Sequence, residues 1–244
     1  GRARDYRPFV PIDSAEEPAK MSAVVTSTLE RGGKILIPAF SLGRTHLVLS
    51  YLRLWMSKGL LPRIPIYVDS PLAHKIDQVF LKYKDHLLPE IKEIECEWLE
   101  SEDDARHKST QREQCIIVAS GGMCEGGRIV QHLKHHIDDP RSTVVLVSYQ
   151  APDSIGAQLL SPGPTVRFHG KKWNKWIDVA EVRGFSGHAD KNDFEWLLQG
   201  AVAGTSRVRL VHGEPGSLFA LEKQLRQMGF ADVRAPNPME TVAL

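Results

Sequence analysis

The sequence predicts a layered α/β fold, and three observations carry that expectation. Helical periodicity alternates along most of the chain with short β-rich runs, the pattern of helices packed on a sheet. The first part of the chain reads as successive βα repeats. Gly-containing turns follow the predicted strands at their carboxyl ends, where α/β proteins bind ligands. The 244 residues are enough for one large domain or two small ones, and 42% hydrophobic with 25% charged residues is an ordinary globular composition.

Residues 14–31 read as a helix with Glu16 and Glu17 in its first turn, which suits the positive helix end, and Gly32-Gly33 stops it. Lys34-Ile35-Leu36-Ile37-Pro38 is a short buried strand. Gly43-Arg44 opens a second helix through Leu47, Val48, Tyr51, Leu52 and Trp55, spaced at three and four. Ile64 to Val68 is the next strand, ending at Asp69-Ser70-Pro71, and a helical stretch follows to about residue 88. Residues 100–113 are charge-dense, without clear amphipathicity, and fit a surface helix or a loop. Cys115 to Ala119 is a buried strand. The turn Ser120-Gly121-Gly122-Met123 and a helix from Gly126 to Ile137 follow it, then a strand from Thr143 to Val147. Around Ser161-Pro162-Gly163-Pro164 the style changes. Residues 166–169 and 176–182 alternate like strands with one exposed face. Asn192 to Gln199 is a helix, Val208 to His212 a strand, and Leu218 to Gly229 another helix.

Composition excludes several function classes. Lys plus Arg number 31 against 30 Asp plus Glu, so the net charge is +1 and no strongly basic face coats a nucleic acid, although a local basic groove fits inside that total. Cys96, Cys115 and Cys124 are odd in number and lack CxxC spacing, which argues for a reducing, cytoplasmic setting over a disulfide framework or zinc ribbon. No apolar run approaches the roughly 20 residues of a membrane helix. The chain starts abruptly at Gly1, with no signal-peptide core and no initiator Met, and a missing piece is expected there.

Two histidines sit where chemistry is plausible. His188 lies in Gly184-Phe185-Ser186-Gly187-His188-Ala189-Asp190, and His212 ends an apolar run before Gly213-Glu214-Pro215. An imidazole held by tight turns at a strand end can ligate metal or act as a general acid; it can also simply hydrogen-bond in a turn. The Gly-rich turns at Ser120-Gly121-Gly122 and Gly126-Gly127-Arg128, and at Phe40 to Thr45 with Arg44, could cradle phosphate, or could be tight turns alone. His132, His135 and His136 have metal-compatible helical spacing but basic neighbours and no acidic or thiolate partner, so a solvated helix face is expected. Lys171-Lys172-Trp173-Asn174-Lys175-Trp176 mixes basic and aromatic residues in a way that suits a stacked single strand or a plain hairpin turn. Asp69 reads as a helix cap, and Cys124 has no base beside it.

In this order the motifs resemble the β-CASP branch of the metallo-β-lactamase-fold nucleases, which includes RNA-processing exo- and endonucleases. The residues that carry the likeness are Gly32 to Arg44, Tyr67 to Ala73, Ala119 to Met123, Ser148 to Gly156, Gly184 to Asp190 and Val211 to Glu214. The resemblance implies a parallel-sheet β-CASP domain with helices on both faces, followed by the C-terminal strands and helices of a metallo-β-lactamase αββα domain. Residues 1–30 would lead out of that second domain, 31–162 would be the β-CASP domain, and 163–244 would return to the metallo-β-lactamase domain. A zinc-dependent ribonuclease is implied, cutting single-stranded RNA by endo- and/or 5′-exonucleolytic hydrolysis in the cleft between the two domains. His212 would be the last ligand of a two-zinc site and His188 a candidate general acid. Arg44, Ser120, Gly121, Gly122 and Arg128 would hold backbone phosphates. The family's HxHxDH motif, the single His and Asp ligands after it, and the acidic residue of its E-S-T-Y-G segment do not occur in this sequence. The chain alone is therefore expected to be inactive, and a non-catalytic RNA-binding or scaffold member is the alternative. The resemblance also allows a homodimer and implies no membrane partner.

Overall fold

The computed structural model describes residues 16–86, 95–185, 189, 191–202, 204, 207–237 and 239–242. Described residues up to 185 belong to one compact unit and those from 189 onward to another.

The first unit is an α/β layer structure around a six-stranded sheet. Its strands are β1 (Ile35–Ala39), β2 (Ile66–Asp69), β3 (Glu97–Trp98), β4 (Ile116–Ser120), β5 (Thr143–Leu146) and β8 (Asp178–Glu181), in the order β3-β2-β4-β1-β5-β8. Every pairing is parallel, with Ile37 opposite Val118 and Val68 opposite the same residue from the other side. A parallel sheet needs cover on both faces, and the strand sequences provide it by alternation. Ile35, Ile37, Ile66, Val68, Ile116, Val118, Val145 and Val147 face one core. Leu36, Tyr67, Ile117, Ala119, Val144 and Leu146 face the other. Each of the Val, Leu and Ile side chains, once fully buried, contributes about 1.5–3 kcal/mol.

Helices α1 (Glu16–Glu30) and α2 (Arg44–Ser57) cover the first face with Met21, Val25, Val48, Leu49, Leu52 and Trp55. Helices α4 (Glu102–Thr110), α5 (Ile129–His136) and α6 (Ile155–Leu160) cover the second with Ala105, Ile129, Val130, Leu133 and Leu159. Helix α3 (Pro71–Lys82) starts with Pro at its first position, and the Ser70 hydroxyl accepts from the Ala73 N–H at 3.3 Å. Residues 102–110 are a helix rather than a loop because Ser101 and Asp104 form a reciprocal capping box, while Ala105 and Ser109 turn inward. A hairpin of β6 (Thr165–Phe168) and β7 (Lys171–Asn174) lies on the α5 side of the sheet, with Val166, Phe168 and Ile177 in that core.

The first compact unit includes β8, which pairs with β5 in parallel register, Val144 opposite Val179. The change of style near residue 163 marks the hairpin. In the second unit, α7 (Lys191–Leu198) precedes a βαβ element: β9 (Val208–Arg209), α8 (Pro215–Gln227) and β10 (Val233–Arg234), with the two strands parallel. Leu210, Leu221, Leu225, Phe230 and Val233 form its core. Among the described residues no helix is long and apolar enough to cross a membrane.

The entry to β1 has no room for a side chain. A Cβ on Gly33 would lie 1.9 Å from the Arg141 carbonyl oxygen, whereas one on Gly216 in α8 would meet nothing within 4 Å. Gly33→Ala is expected to lower stability by about 1–3 kcal/mol, as overpacking does. Gly216→Ala should be neutral or stabilising by up to about 1 kcal/mol. Urea denaturation of the two variants checks the contrast.

Candidate functional site

The turns that leave β1, β2, β4 and β5 meet at the carboxyl edge of the sheet. Phe40 lies across Gly122, where a Cβ would come within 2.7 Å of the ring. The Ser41 and Ser70 hydroxyls share a hydrogen bond of 2.9 Å, joining the first two turns. Residues 120–128 fold back on themselves. Gly121 has φ 115° and a Cβ there would lie 2.0 Å from the Gly126 oxygen; Gly127 has φ 77° and a Cβ there would lie 2.5 Å from the Ser120 oxygen. These glycines are required because backbone meets backbone, and the Arg128 N–H closes the loop on the Ser120 hydroxyl at 3.2 Å. Arg44 donates through Nη1 to the Val147 carbonyl at 2.7 Å, tying the start of α2 to the end of β5. The edge thus gathers Arg44, Ser120, Gly121, Gly122 and Arg128.

Two polar residues at this edge escaped the residue-by-residue reading. The Ser148 hydroxyl and the Gln150 Oε1 are buried with no hydrogen-bond partner among the described residues. The Gln150 amide donates to the Gly122 and Ser148 carbonyls at 3.0 and 2.9 Å. Their signal in the sequence was polarity immediately after an apolar strand, at the end where such folds bind ligands.

Behind the edge runs a buried polar relay. Asp69, fully buried at the end of β2, accepts from His132 Nε2 at 2.9 Å. His132 Nδ1 lies 3.0 Å from the Ser109 hydroxyl, which lies 3.2 Å from His136 Nε2. Ser142 stands 3.5 Å from His136 Nδ1 and donates to Asp139 at 2.9 Å. With both rings neutral, one donor order satisfies the chain: His132 Nε2–H to Asp69, Ser109 O–H to His132, and His136 Nε2–H to Ser109.

His132 and His136 are therefore not on a solvated helix face, as the sequence suggested; they are 1% and 6% exposed, because α5 turns residues 129, 130, 132, 133 and 136 inward. His135 alone of the three is exposed. Asp69–His132–Ser109 has the connectivity of a hydrolase triad, but Ser109 is 3% exposed and its oxygen is engaged by His136, so the relay is structural.

Asp69 is not the helix cap expected for it; Ser70 caps α3. Arg128 reaches inward to Asp69 at 3.5 Å and outward to Glu102 at 3.0 Å, ionic contacts that line a cleft of about 100 Å³ with Ser109 and His132. A phosphate reaches this guanidinium only in competition with those carboxylates. Burial pushes the Cys124 thiol up to about 12, which keeps it protonated and unreactive.

His188 lies outside the described residues, as do Ser186, Gly187 and Asp190. His212 is exposed beyond β9, with φ 61°, a left-handed conformation uncommon for a residue with a side chain. Among the described residues no three His, Cys, Asp or Glu side chains converge to hold a metal. His212 offers one imidazole, so the described donors do not make a zinc site.

An all-parallel, doubly covered sheet with a Gly-lined carboxyl edge defines an α/β domain of the class whose ligands, where they bind, bind at that edge. Residues 45–159 match the model of the Beta-Casp domain, and residues 177–236 match the Zn-dependent metallo-hydrolase RNA specificity domain. Ribonuclease TTHA0252 of Thermus thermophilus is 32% identical over 238 residues, covering 93% of this chain and 52% of that protein. Transcription termination factor FttA of Methanosarcina mazei is 29% identical over 261 residues, covering 100% of this chain and 40% of that protein. The factor of the same name from Pyrococcus abyssi is 31% identical over 260 residues, covering 100% and 39%. The chain spans about half the length of the first relative and about two fifths of the others. The chain belongs to the β-CASP family of metallo-β-lactamase-fold nucleases.

The relay makes two expectations. His132→Ala leaves the Asp69 carboxylate buried beside an empty space and should cost about 3–5 kcal/mol in urea denaturation. The second concerns pH. His136 is pushed down to about 4, first by burial and then by the Lys34 ammonium. An unfolded chain takes up this proton near pH 6.5, while the folded protein refuses it until about 4. Stability is therefore fullest above pH 6.5 and falls as the pH drops toward 4, by about 3 kcal/mol in all. His136→Gln should flatten that slope in denaturation midpoints measured across the window.

Proposed function

We propose that this chain is the nucleic-acid-holding part of a zinc-dependent ribonuclease that hydrolyses phosphodiester bonds of single-stranded RNA, by endonucleolytic and/or 5′-exonucleolytic cleavage. The observation that carries the reading is the ordered set of motifs, four of which meet as turns at one edge of a parallel sheet. The 32% identity to a ribonuclease across 93% of the chain supports it.

In this reading the Ser120-Gly121-Gly122 turn and Arg44 hold backbone phosphates, which gives sequence-tolerant binding. Arg128 keeps the turn in place through Asp69 and Glu102 and adds a phosphate contact when one of those carboxylates yields. His188 donates a proton to the leaving oxygen. His212 contributes one zinc ligand, and zinc, when bound, supplies an activated water. One imidazole does not close a tetrahedral site, so the remaining ligands come from outside the described residues.

The 244-residue chain alone is expected to retain no stoichiometric zinc after dialysis and to leave RNA uncut, as metal analysis and a gel assay would register. In the complete protein, His188→Ala should lower the cleavage rate by about 10²–10⁴-fold, and His212→Ala should remove zinc together with activity. Cleavage that survives both substitutions unchanged overturns the reading. RNA binding without any cleavage by the complete protein would mark a scaffold member instead.

A further inference from the structure

The β6–β7 hairpin carries an arrangement that the carboxyl edge does not use. From Ser154 to Ile177 the chain has Arg167, Lys171, Lys172 and Lys175 and no Asp or Glu, four positive charges within a total of +1. The pairing places Arg167 directly opposite Lys172. Like charges at opposed positions of an antiparallel pair destabilise it. Both side chains are exposed, and among the described residues neither makes an ion pair.

The other face of the hairpin explains why the conflict is held in place. Val166 and Phe168 are buried, and Trp173 stacks on Phe168 with ring centroids 5.1 Å apart and planes 8° apart. The Trp173 indole N–H donates to the Phe168 carbonyl at 3.3 Å, and the Lys171 ammonium lies 4.2 Å from the Trp173 ring centroid. The turn at His169 and Gly170 has φ 49° and 70°, the tight primed geometry that matches strand twist. Lys175 anchors the base by donating to the Leu159 and Ser161 carbonyls, so it is not part of the exposed set.

Just beyond, the Trp176 and Ile177 N–H groups both donate to the Ile137 carbonyl, at 2.9 and 3.0 Å. The backbone there is pinned, yet the Trp176 indole is 60% exposed. A rigid ribbon thus presents two unneutralised cations and, a few residues along, one bare aromatic face. Phosphate and a stacked base, the two recurring features of a single strand, complement that pair of elements.

We propose that the β6–β7 hairpin binds single-stranded RNA, with Arg167 and Lys172 on consecutive phosphates and Trp176 stacked on a base. The proposal rests on the ribonuclease reading for the identity of the strand and assigns it a contact separate from the Gly-lined edge. Binding relieves the like-charge conflict between the two cations, which otherwise has no counterpart on the hairpin's exposed face.

The test is fluorescence anisotropy of a 5′-labelled oligouridylate of about 15 nucleotides with the 244-residue chain, over a range of salt. Arg167→Gln/Lys172→Gln should weaken binding and lower the slope of log affinity against log salt by about 1.4, since each phosphate contact to a single strand contributes about 0.7. Trp176→Ala should weaken binding about tenfold with the slope unchanged, as loss of one stacked base does. A duplex of the same length should bind less tightly and be indifferent to Trp176→Ala. The double variant should melt at or above the parental temperature, which separates loss of binding from loss of fold. Parental affinity and slope in the variants, or no oligouridylate binding by the parental chain at low salt, overturns the proposal. RNA cleavage by the complete protein that is unaffected by the hairpin variants would leave the ribonuclease reading intact and remove this one. Hairpin-dependent binding without cleavage would do the reverse.

Discussion

The Asp69 carboxylate is the point on which the first unit turns. It is fully buried at the end of β2, where desolvating an anion costs several kcal/mol unless partners replace the lost water. His132 and Arg128 supply that replacement, and both belong to the turn and helix that follow β4. Through His132 the same carboxylate reaches Ser109 on α4, and through Ser109 it reaches His136 and the loop before β5. One buried charge therefore sets the positions of two helices and the glycine turn between β4 and α5. Apolar packing supplies most of the stability, but it is tolerant of small slips. A hydrogen-bonded relay is not, since each member must sit within about 3 Å of the next.

That precision matters at the sheet's edge. A parallel sheet covered on both faces leaves no exposed face for chemistry, so ligand contact falls to the ends of the strands. The turns there are packed so closely that Gly121, Gly122 and Gly127 have no room for a Cβ. Such an edge is shaped before any ligand arrives, and prior ordering reduces the entropy lost on binding. The buried hydroxyl of Ser148, without a hydrogen-bond partner among the described residues, lies in the same region. Unsatisfied groups of this kind cost stability, and in native proteins they concentrate where function has a use for them.

Much of this was legible in the sequence, and the exceptions share a cause. Strands β1, β4 and β5 are continuous apolar runs, so burial on both sides could be read directly. Helix α2 shows its inward face by spacing alone. Strand β3 has two residues and α6 has six, too short for any period to register, and α6 is set by the Ser154 cap instead. The inward turn of His132 and His136 could not be read from α5 itself, because polar residues among basic neighbours have the pattern of a wet surface. Their partners Asp69 and Ser109 lie 63 and 23 residues earlier in the chain. Strand β8 presents a related case. Its alternation matches a strand with one exposed face, and only the parallel register against β5 reveals that it closes the edge of the large sheet.

Charge placement accounts for the remaining tension between a near-neutral chain and the proposed contact with a single strand. At about 0.1 M salt the Debye length is about 10 Å, so a net charge summed over the whole molecule says little about what a strand meets at one site. Several acids among the described residues are committed locally. Asp69 is buried against Arg128 and His132, Asp104 is held by its own helix cap, and Asp139 is held by Arg141 and Ser142. Arg209 and Arg226 are matched by Asp232 and Glu222. What survives this cancellation is whatever the pairing leaves out, and on the hairpin two opposed cations remain within one strand spacing of each other. A balanced total is then compatible with the proposed contact, in which a strand is met at defined points, where a register can be held, instead of over a whole face, where the strand would slide.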